Sequence, residues 1–262
     1  STFCLFRPYD FMKWLLNLFP RTLLIQTSIL LRPFLRWYYK GTRFTDPIDG
    51  SQYRKFLPYG YQKTRPNALC PGTLSLERHR LLWVYLDQFT NLLTEAKTVL
   101  HVAPEQAFYR KFKTLPQWDY TTTDLESPLA DVKADLCDLP FENEQFDVVF
   151  CNHVLEHIPD DHKALQELYR ILKKGGIAFL QVPINQQSEQ TEEDPMLMDR
   201  HERIRRFGQY DHVRYYGKDF SQRLEKVGFT AEYIDVGAKL SPELIQRYAL
   251  PHGEWLPIGR KA

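Results

Sequence analysis

The stretch Ala134–Ile184, ADLCDLPFENEQFDVVFCNHVLEHIPDDHKALQELYRILKKGGIAFLQVPI, holds two apolar runs with an amphipathic segment between them. Phe146–Asn152 is short and rich in β-branched and aromatic residues, which predicts a buried strand. From Asp160 the spacing changes, and Ala164, Leu165, Leu168, Ile171 and Leu172 fall on one helical face. Lys173 and Lys174 suit the negative end of that helix, and Gly175 and Gly176 are expected to stop it. Ile177–Val182 is then the next strand. Strand, helix and strand in so short a span form the repeating unit of a parallel sheet.

The same alternation extends in both directions. Upstream, Thr98–Ala103 predicts a strand, followed by a helix to about Lys113, a strand at Asp119–Thr123 and a short one near Val132–Ala134. Downstream come a helix over Lys218–Val227, a strand over Phe229–Val236 and a last strand near Trp255–Gly259. A parallel crossover usually takes about a dozen residues or more. The step from Asp124 to Val132 is shorter, so its helix is expected to shrink to a loop. Residues 98–262 are therefore expected to form one α/β domain.

The two segments before it differ in composition. Within residues 1–45, no acidic residue occurs from Phe11 to Thr45, while Lys13, Arg21, Arg32, Arg36, Lys40 and Arg43 are basic. Leu23, Leu24, Leu30, Leu31, Phe34, Leu35 and Tyr38 share a helical stripe. The uncharged run Thr22–Leu31 is shorter than the ~20 apolar residues that span a bilayer. Two readings stay open: an interfacial helix on the inner face of a membrane, or a hairpin packed on the protein's own core or serving as a lid. Residues 46–97 form a connector, with a hairpin expected around Gly50 and a helix expected from an N-cap at Ser75.

Composition removes some function classes. The chain of 262 residues carries 34 basic and 33 acidic side chains, so bulk nucleic-acid binding has no electrostatic footprint. Cys4, Cys70, Cys137 and Cys151 form no CxxC pair, which points to reduced thiols in a cytoplasmic protein.

Several features of the quoted stretch occur together and in order: an acidic residue ahead of Leu139-Pro140-Phe141, Phe146-Asp147-Val148-Val149, Leu155-Glu156-His157-Ile158, and the Arg170-to-Gly176 segment. In this it resembles class I S-adenosylmethionine-dependent methyltransferases, and the resemblance covers about residues 98–236. It implies a doubly wound, mostly parallel seven-stranded sheet with S-adenosylmethionine at the C-terminal ends of its first strands. The family's glycine loop falls on Ala103, Glu105 and Ala107, within the glycine-free run TVLHVAPEQAF (Thr98–Phe108), and the acidic residue before it becomes His101. The resemblance places the ribose-gripping carboxylate at Asp124 and the adenine side at Asp135 and Leu136. It sets Asn152 and His153 against the methionine moiety. The connector resembles a zinc-ribbon-like segment in which only Cys70 survives, with Asp46, Asp49 and Thr73 at the other positions.

The missing glycines narrow the cofactor. A pyrophosphate needs glycine for close backbone approach, and Glu105 would repel it. S-adenosylmethionine carries an ammonium that Glu105 can answer, and Pro104 is expected at the first position of the helix. His153-Val-Leu-Glu156-His157 also matches a zinc-protease motif, but the preceding strand and Ile158-Pro159 break the helix it requires, and no metal is expected. His212, in the insertion after the fifth strand, is the candidate general base, with a loop-packing histidine as the alternative. Tyr210, Arg214 and Tyr215 are candidate substrate contacts. The expected activity is methyl transfer to an O, N or C nucleophile of a small-molecule or lipid-like acceptor. A non-catalytic binding module and a nicotinamide-dependent oxidoreductase are the alternatives.

Overall fold

The structure, a computed structural model, describes residues 31–60 and 64–262. Strand β5 (Lys97–Val102) lies in the interior of the sheet, where Val99, Leu100 and Val102 are buried along with His101. It is flanked by β6 (Trp118–Asp124) and β8 (Phe146–Cys151), both parallel to it. The full order is β12-β13-β9-β8-β5-β6-β7, with β7 at Val132–Lys133, β9 at Leu172–Phe179, β12 at Thr230–Asp235 and β13 at Trp255–Arg260. Only β13 runs antiparallel, wedged between β9 and β12. This is the expected doubly wound, mostly parallel seven-stranded sheet.

Two apolar layers cover the sheet. On one side α1 (Glu77–Phe89) and α2 (Gln106–Phe112) pack with Phe150, Phe179 and Ile258. On the other, α3 (Asp161–Ile171) sets Ala164, Leu165, Leu168 and Ile171 against Leu100, Val149 and Ala178. Helix α1 is buried at every position from His79 to Leu86, so it belongs to the packed core of the sheet although the connector was expected to run to residue 97. Its N-cap is Leu76, not Ser75; Ser75 is buried and its hydroxyl donates to Asp46 instead. Arg80, wholly buried, donates to the carbonyls of Ala68, Ser75, Tyr248 and Ala249, which ties the connector to helix α6 (Pro242–Tyr248).

Two other local expectations need correction. Lys173 to Gly176 do not end helix α3 but lie in β9. Leu172 is already in register with Phe146, and Lys173 reaches Asp147 and Thr98 across the sheet. The extra residues form a bulge in which Gly175, at φ +73°, donates to the Lys261 carbonyl. Within the expected helical extension, residues 31–38 are helical, but Lys40–Thr45 is strand β1, paired with β2 (Gln52–Tyr53). The remainder of that extension, residues 1–30, lies outside the described residues.

Between β6 and β7 the crossover helix is indeed absent. Side chains close the loop in its place: Thr122 and Asp131 exchange hydrogen bonds, and Asp124 Oδ1 accepts from the amides of Glu126 and Ser127. The connector hairpins, β1–β2 and β3 (Leu57–Tyr59) with β4 (Arg65–Leu69), are joined by Asp46 Oδ2, which accepts from Thr73 and Ser75. Burial, followed by the Asp46 charge, pushes the Cys70 thiol up to about 12.

Candidate functional site

Strand order reverses between β5 and β8, since β5 leads outward to β6 while β8 leads to β9 on the other side. Ligands of open α/β sheets lie in the crevice at such a point. Both strands break there into a left-handed turn: Ala103 has φ +48° and His153 φ +54°. The glycine-free loop thus still makes the turn a glycine would make, with alanine bearing the strain. Pro104 precedes the N-cap, Glu105, and is not the first helical residue as expected. Helical geometry begins two residues later, at Gln106, because the Glu105 carbonyl accepts the first helical amides, those of Phe108 and Tyr109.

Glu105 turns inward. Its Oε2 lies 2.6 Å from His101 Nε2, and its Oε1 has no hydrogen-bond partner. Burial alone would raise its carboxyl, but the His101 hydrogen bond and neighbouring charge prevail and hold it at about 2. His79 accepts the Leu76 amide at Nδ1, which places its proton on Nε2, 3.7 Å from Glu105. His101 is wholly buried beside Phe108, Phe112 and Phe150, with Nδ1 on the Tyr120 hydroxyl. Both of its ring nitrogens are partnered and it has no exposed surface, unlike the direct ligand contact expected of it.

Unsatisfied buried polar atoms gather at the same strand ends. Both amide atoms of Asn152 and of Gln181 lack partners, as do Thr123 Oγ1 and His153 Nε2. Native structures rarely leave such atoms unpaired, so their concentration at one crevice marks a place shaped for a polar ligand. The family resemblance points to Asn152 and His153 but not to Gln181 or Thr123. The available signal was a glutamine inside the apolar run FLQVP and a threonine just before Asp124.

Two cavities flank the β8 turn. A small one of about 130 Å³ is lined by Ala103, Asp124, Leu125, Asp135, Leu136 and Val154. It brings together four of the expected cofactor residues. A larger one of about 1000 Å³ lies on the other side, with His153, Tyr215, Arg78, Glu254, Phe44 and Trp255 among its walls. Burial pushes the Glu254 carboxyl above its ordinary range.

Residues 85–180 match the family model described as a methyltransferase domain. The sterol 24-C-methyltransferase of Clavispora lusitaniae is 30% identical over 136 residues, covering 50% of this chain and 34% of that protein. Residues 85–180 are a methyltransferase domain, and the sheet they help to build has the class I S-adenosylmethionine-dependent fold. A demethylmenaquinone methyltransferase of Staphylococcus carnosus is 47% identical over 47 residues, 18% of this chain and 20% of its own length. The chain spans about a third or less of the curated relatives it matches. Among solved structures, the [4+2]-cyclase SpnF superposes with a TM-score of 0.51 at 14% identity, over 90% of this chain and 94% of that one, and this likeness speaks for the fold alone.

The crevice of this methyltransferase domain fits the family's cofactor. Asp124 gives Oδ1 to two turn amides, and among the described residues Oδ2 makes no hydrogen bond, leaving it for ribose hydroxyls. Leu125, Leu136 and Val154 supply apolar walls beside Asp135 for a purine. Ionised Glu105, with Oε1 unpaired, suits an ammonium.

His153 and His212 stand in different surroundings. His153 Nδ1 lies 3.1 Å from Glu156 Oε1, and its ring is on the wall of the large cavity. Burial would raise the Glu156 carboxyl, but the His153 hydrogen bond and the nearby His153 and His157 keep it below its usual range. His212 is buried with Nδ1 on the Phe207 carbonyl and its ring edge-on to His157, and it lines neither cavity. This is the packing arrangement of the loop-histidine alternative. Arg214, also expected at the substrate, is buried and donates to the carbonyls of Leu155, Ile158 and Pro159. It holds the turn that presents His153. Tyr215 does line the large cavity.

Proposed function

We propose that the protein transfers a methyl group to a nucleophilic atom of a small acceptor, with both polar and apolar parts, bound in the large cavity. The observation that carries this reading is His153, which lines that cavity just past the end of β8, with its buried Nε2 unpartnered and Nδ1 3.1 Å from Glu156. S-adenosylmethionine, when bound, supplies a methyl group already activated for attack. Asp124, Asp135, Asn152 and Glu105 hold and orient it. With its Nδ1 proton donated to Glu156, His153 has a lone pair at Nε2 and takes the acceptor's proton there; the carboxylate stabilises the resulting imidazolium. Phe44, Leu250 and Trp255 exclude water from the acceptor, and Arg78 and Glu254 give its polar end partners. The sterol and demethylmenaquinone in the relatives' names support a lipid-like acceptor of this kind.

Isothermal titration with S-adenosylmethionine and with NAD tests the cofactor, and failure to bind S-adenosylmethionine at high micromolar concentration would remove the proposal. Transfer of labelled methyl from the cofactor into a lipid extract tests the base. His153→Asn is expected to keep cofactor affinity and lose about 10²–10⁴-fold in rate. Full activity in that variant would reject His153, and cofactor binding without any transfer would favour the binding module.

Peripheral membrane contact belongs to the same reading. In the helix over residues 31–38, Leu31, Phe34, Trp37 and Tyr38 are exposed, Trp37 at 72%. Among the described residues no helix is long and apolar enough to cross a membrane. Trp37→Glu is expected to reduce co-sedimentation with anionic vesicles, and unchanged recovery would exclude this face as the contact.

A further inference from the structure

Glu156, His157 and His212 each offer a ligand atom within 4.8 Å of the others. None of the three lines either cavity. Two chain segments meet to form the group. Glu156 and His157 come from the 3-10 turn after β8, and His212 comes from the loop before β11 (Arg214–Tyr215). The Val213 amide donates to the Glu156 carbonyl at 3.0 Å, and Arg214 donates to the Leu155 carbonyl, so the segments are held in register independently of the three side chains.

The hydrogen bonds around the group determine which atoms face inward. His212 Nδ1 lies 3.0 Å from the Phe207 carbonyl, and His157 Nδ1 lies 3.3 Å from the Asp211 carbonyl. A carbonyl only accepts, so each ring carries its proton on Nδ1 and presents a bare lone pair at Nε2. Histidines that bind metals are oriented by just this outer contact. Glu156 is 1% exposed; His153 takes its Oε1, and its buried Oε2 has no partner. A buried carboxylate oxygen without a partner, with two imidazoles close by, is the kind of polar group that a bound cation would satisfy.

We propose that Glu156, His157 and His212 form a divalent-cation site, and that the ion is Zn²⁺. Two imidazole nitrogens and one carboxylate match the borderline ligands zinc prefers, with one position open on the partly exposed His157 side. Bonds of ~2.0–2.1 Å imply ligand separations of about 3.3 Å for a tetrahedron, so the side chains close by roughly an ångström or so on binding. The ion would lock the His153 turn to the insertion through Glu156. The proposal does not depend on methyl transfer, and its test does not use activity.

The full chain is dialysed against a weak chelator, then titrated with Zn²⁺, and with Co²⁺ as a spectroscopic stand-in. One equivalent of Zn²⁺ is expected to bind, with intense visible absorption from the Co²⁺ form. His212→Asn and His157→Asn are each expected to weaken binding at least ~10-fold. S-adenosylmethionine titration and circular dichroism report whether the variants are folded. Zinc-edge X-ray absorption on the unaltered chain covers the case in which they are not. It should show only nitrogen and oxygen neighbours at ~2.0–2.1 Å with imidazole scattering. A sulfur shell at ~2.3 Å, undiminished binding in His212→Asn, or no binding by the unaltered chain at micromolar Zn²⁺ would each overturn the proposal.

Discussion

Ala103 offers a direct test of how the glycine-free loop works. At φ +48° it sits where an L-residue's Cβ crowds the backbone, and its amide is pinned to the Thr123 carbonyl at 2.8 Å, so it cannot relax without breaking the β5–β6 connection. The left-handed conformation costs an L-residue about 1–2 kcal/mol. Ala103→Gly removes that cost but gives the unfolded chain extra freedom worth about 0.4–1 kcal/mol. The difference is a gain of about 0.5–1 kcal/mol. For a chain of this size that raises Tm by roughly 1–4 °C. Ala103→Val has the opposite sign, because a β-branched residue is a severe outlier there, and it should lose about 1–3 kcal/mol. Thermal and urea denaturation followed by circular dichroism measure both. A glycine variant less stable than the parent by about 1 kcal/mol, or a valine variant of parental stability, would refute the strain argument.

Three further outcomes follow from the site. Glu105 has a folded pKa near 2, below its ordinary 4.5, so its contribution to stability is complete above pH 4.5 and is lost as pH falls from there towards 2. Glu105→Gln should therefore be less stable than the parent at neutral pH, with the gap closing below pH 4.5; a pH-independent gap would exclude the charge as the cause. Asp124→Asn keeps an oxygen for the Glu126 and Ser127 amides, so Tm should hold while S-adenosylmethionine affinity falls about 10–100-fold by titration, the worth of a charged hydrogen bond. Arg214→Met strips three carbonyls of their donor and leaves Asp161 and Glu193 short of a cation, and denaturant titration should show a loss of about 3–5 kcal/mol.

The sheet was legible because its strands carry their burial in their composition. Val148, Val149 and Phe150 could only lie inside, and Ala164, Leu165, Leu168 and Ile171 could only be one helical face. The loss of the β6–β7 helix was legible too, since too few residues separate Asp124 from Val132 to form one. Errors fell where a local signal competed with a distant partner. Lys173 and Gly175 look like a helix end, yet contacts with Asp147 and the Lys261 carbonyl draw them into the sheet. Ser75 is a good cap by type, but Asp46 claims its hydroxyl.

The candidate site divides along the same line. The family resemblance pointed to Ala103, Glu105, Asp124, Asp135, Asn152 and His153, and all of them lie at or just past the ends of β5, β6, β7 and β8. Sequence alone determined that a phosphate-free cofactor suits a loop with no glycine. Only the tertiary structure decided which side chains face the ligand. It turned Glu105 and His101 towards each other, sent Arg214 to the carbonyls of the β8 turn, and gave His153 rather than His212 to the large cavity. It also set His212 beside Glu156 and His157, residues distant in the chain. The physical reason is that hydrogen-bond and charge partners are chosen by proximity in space, and the spacing of residues along a chain carries no record of which segments will meet.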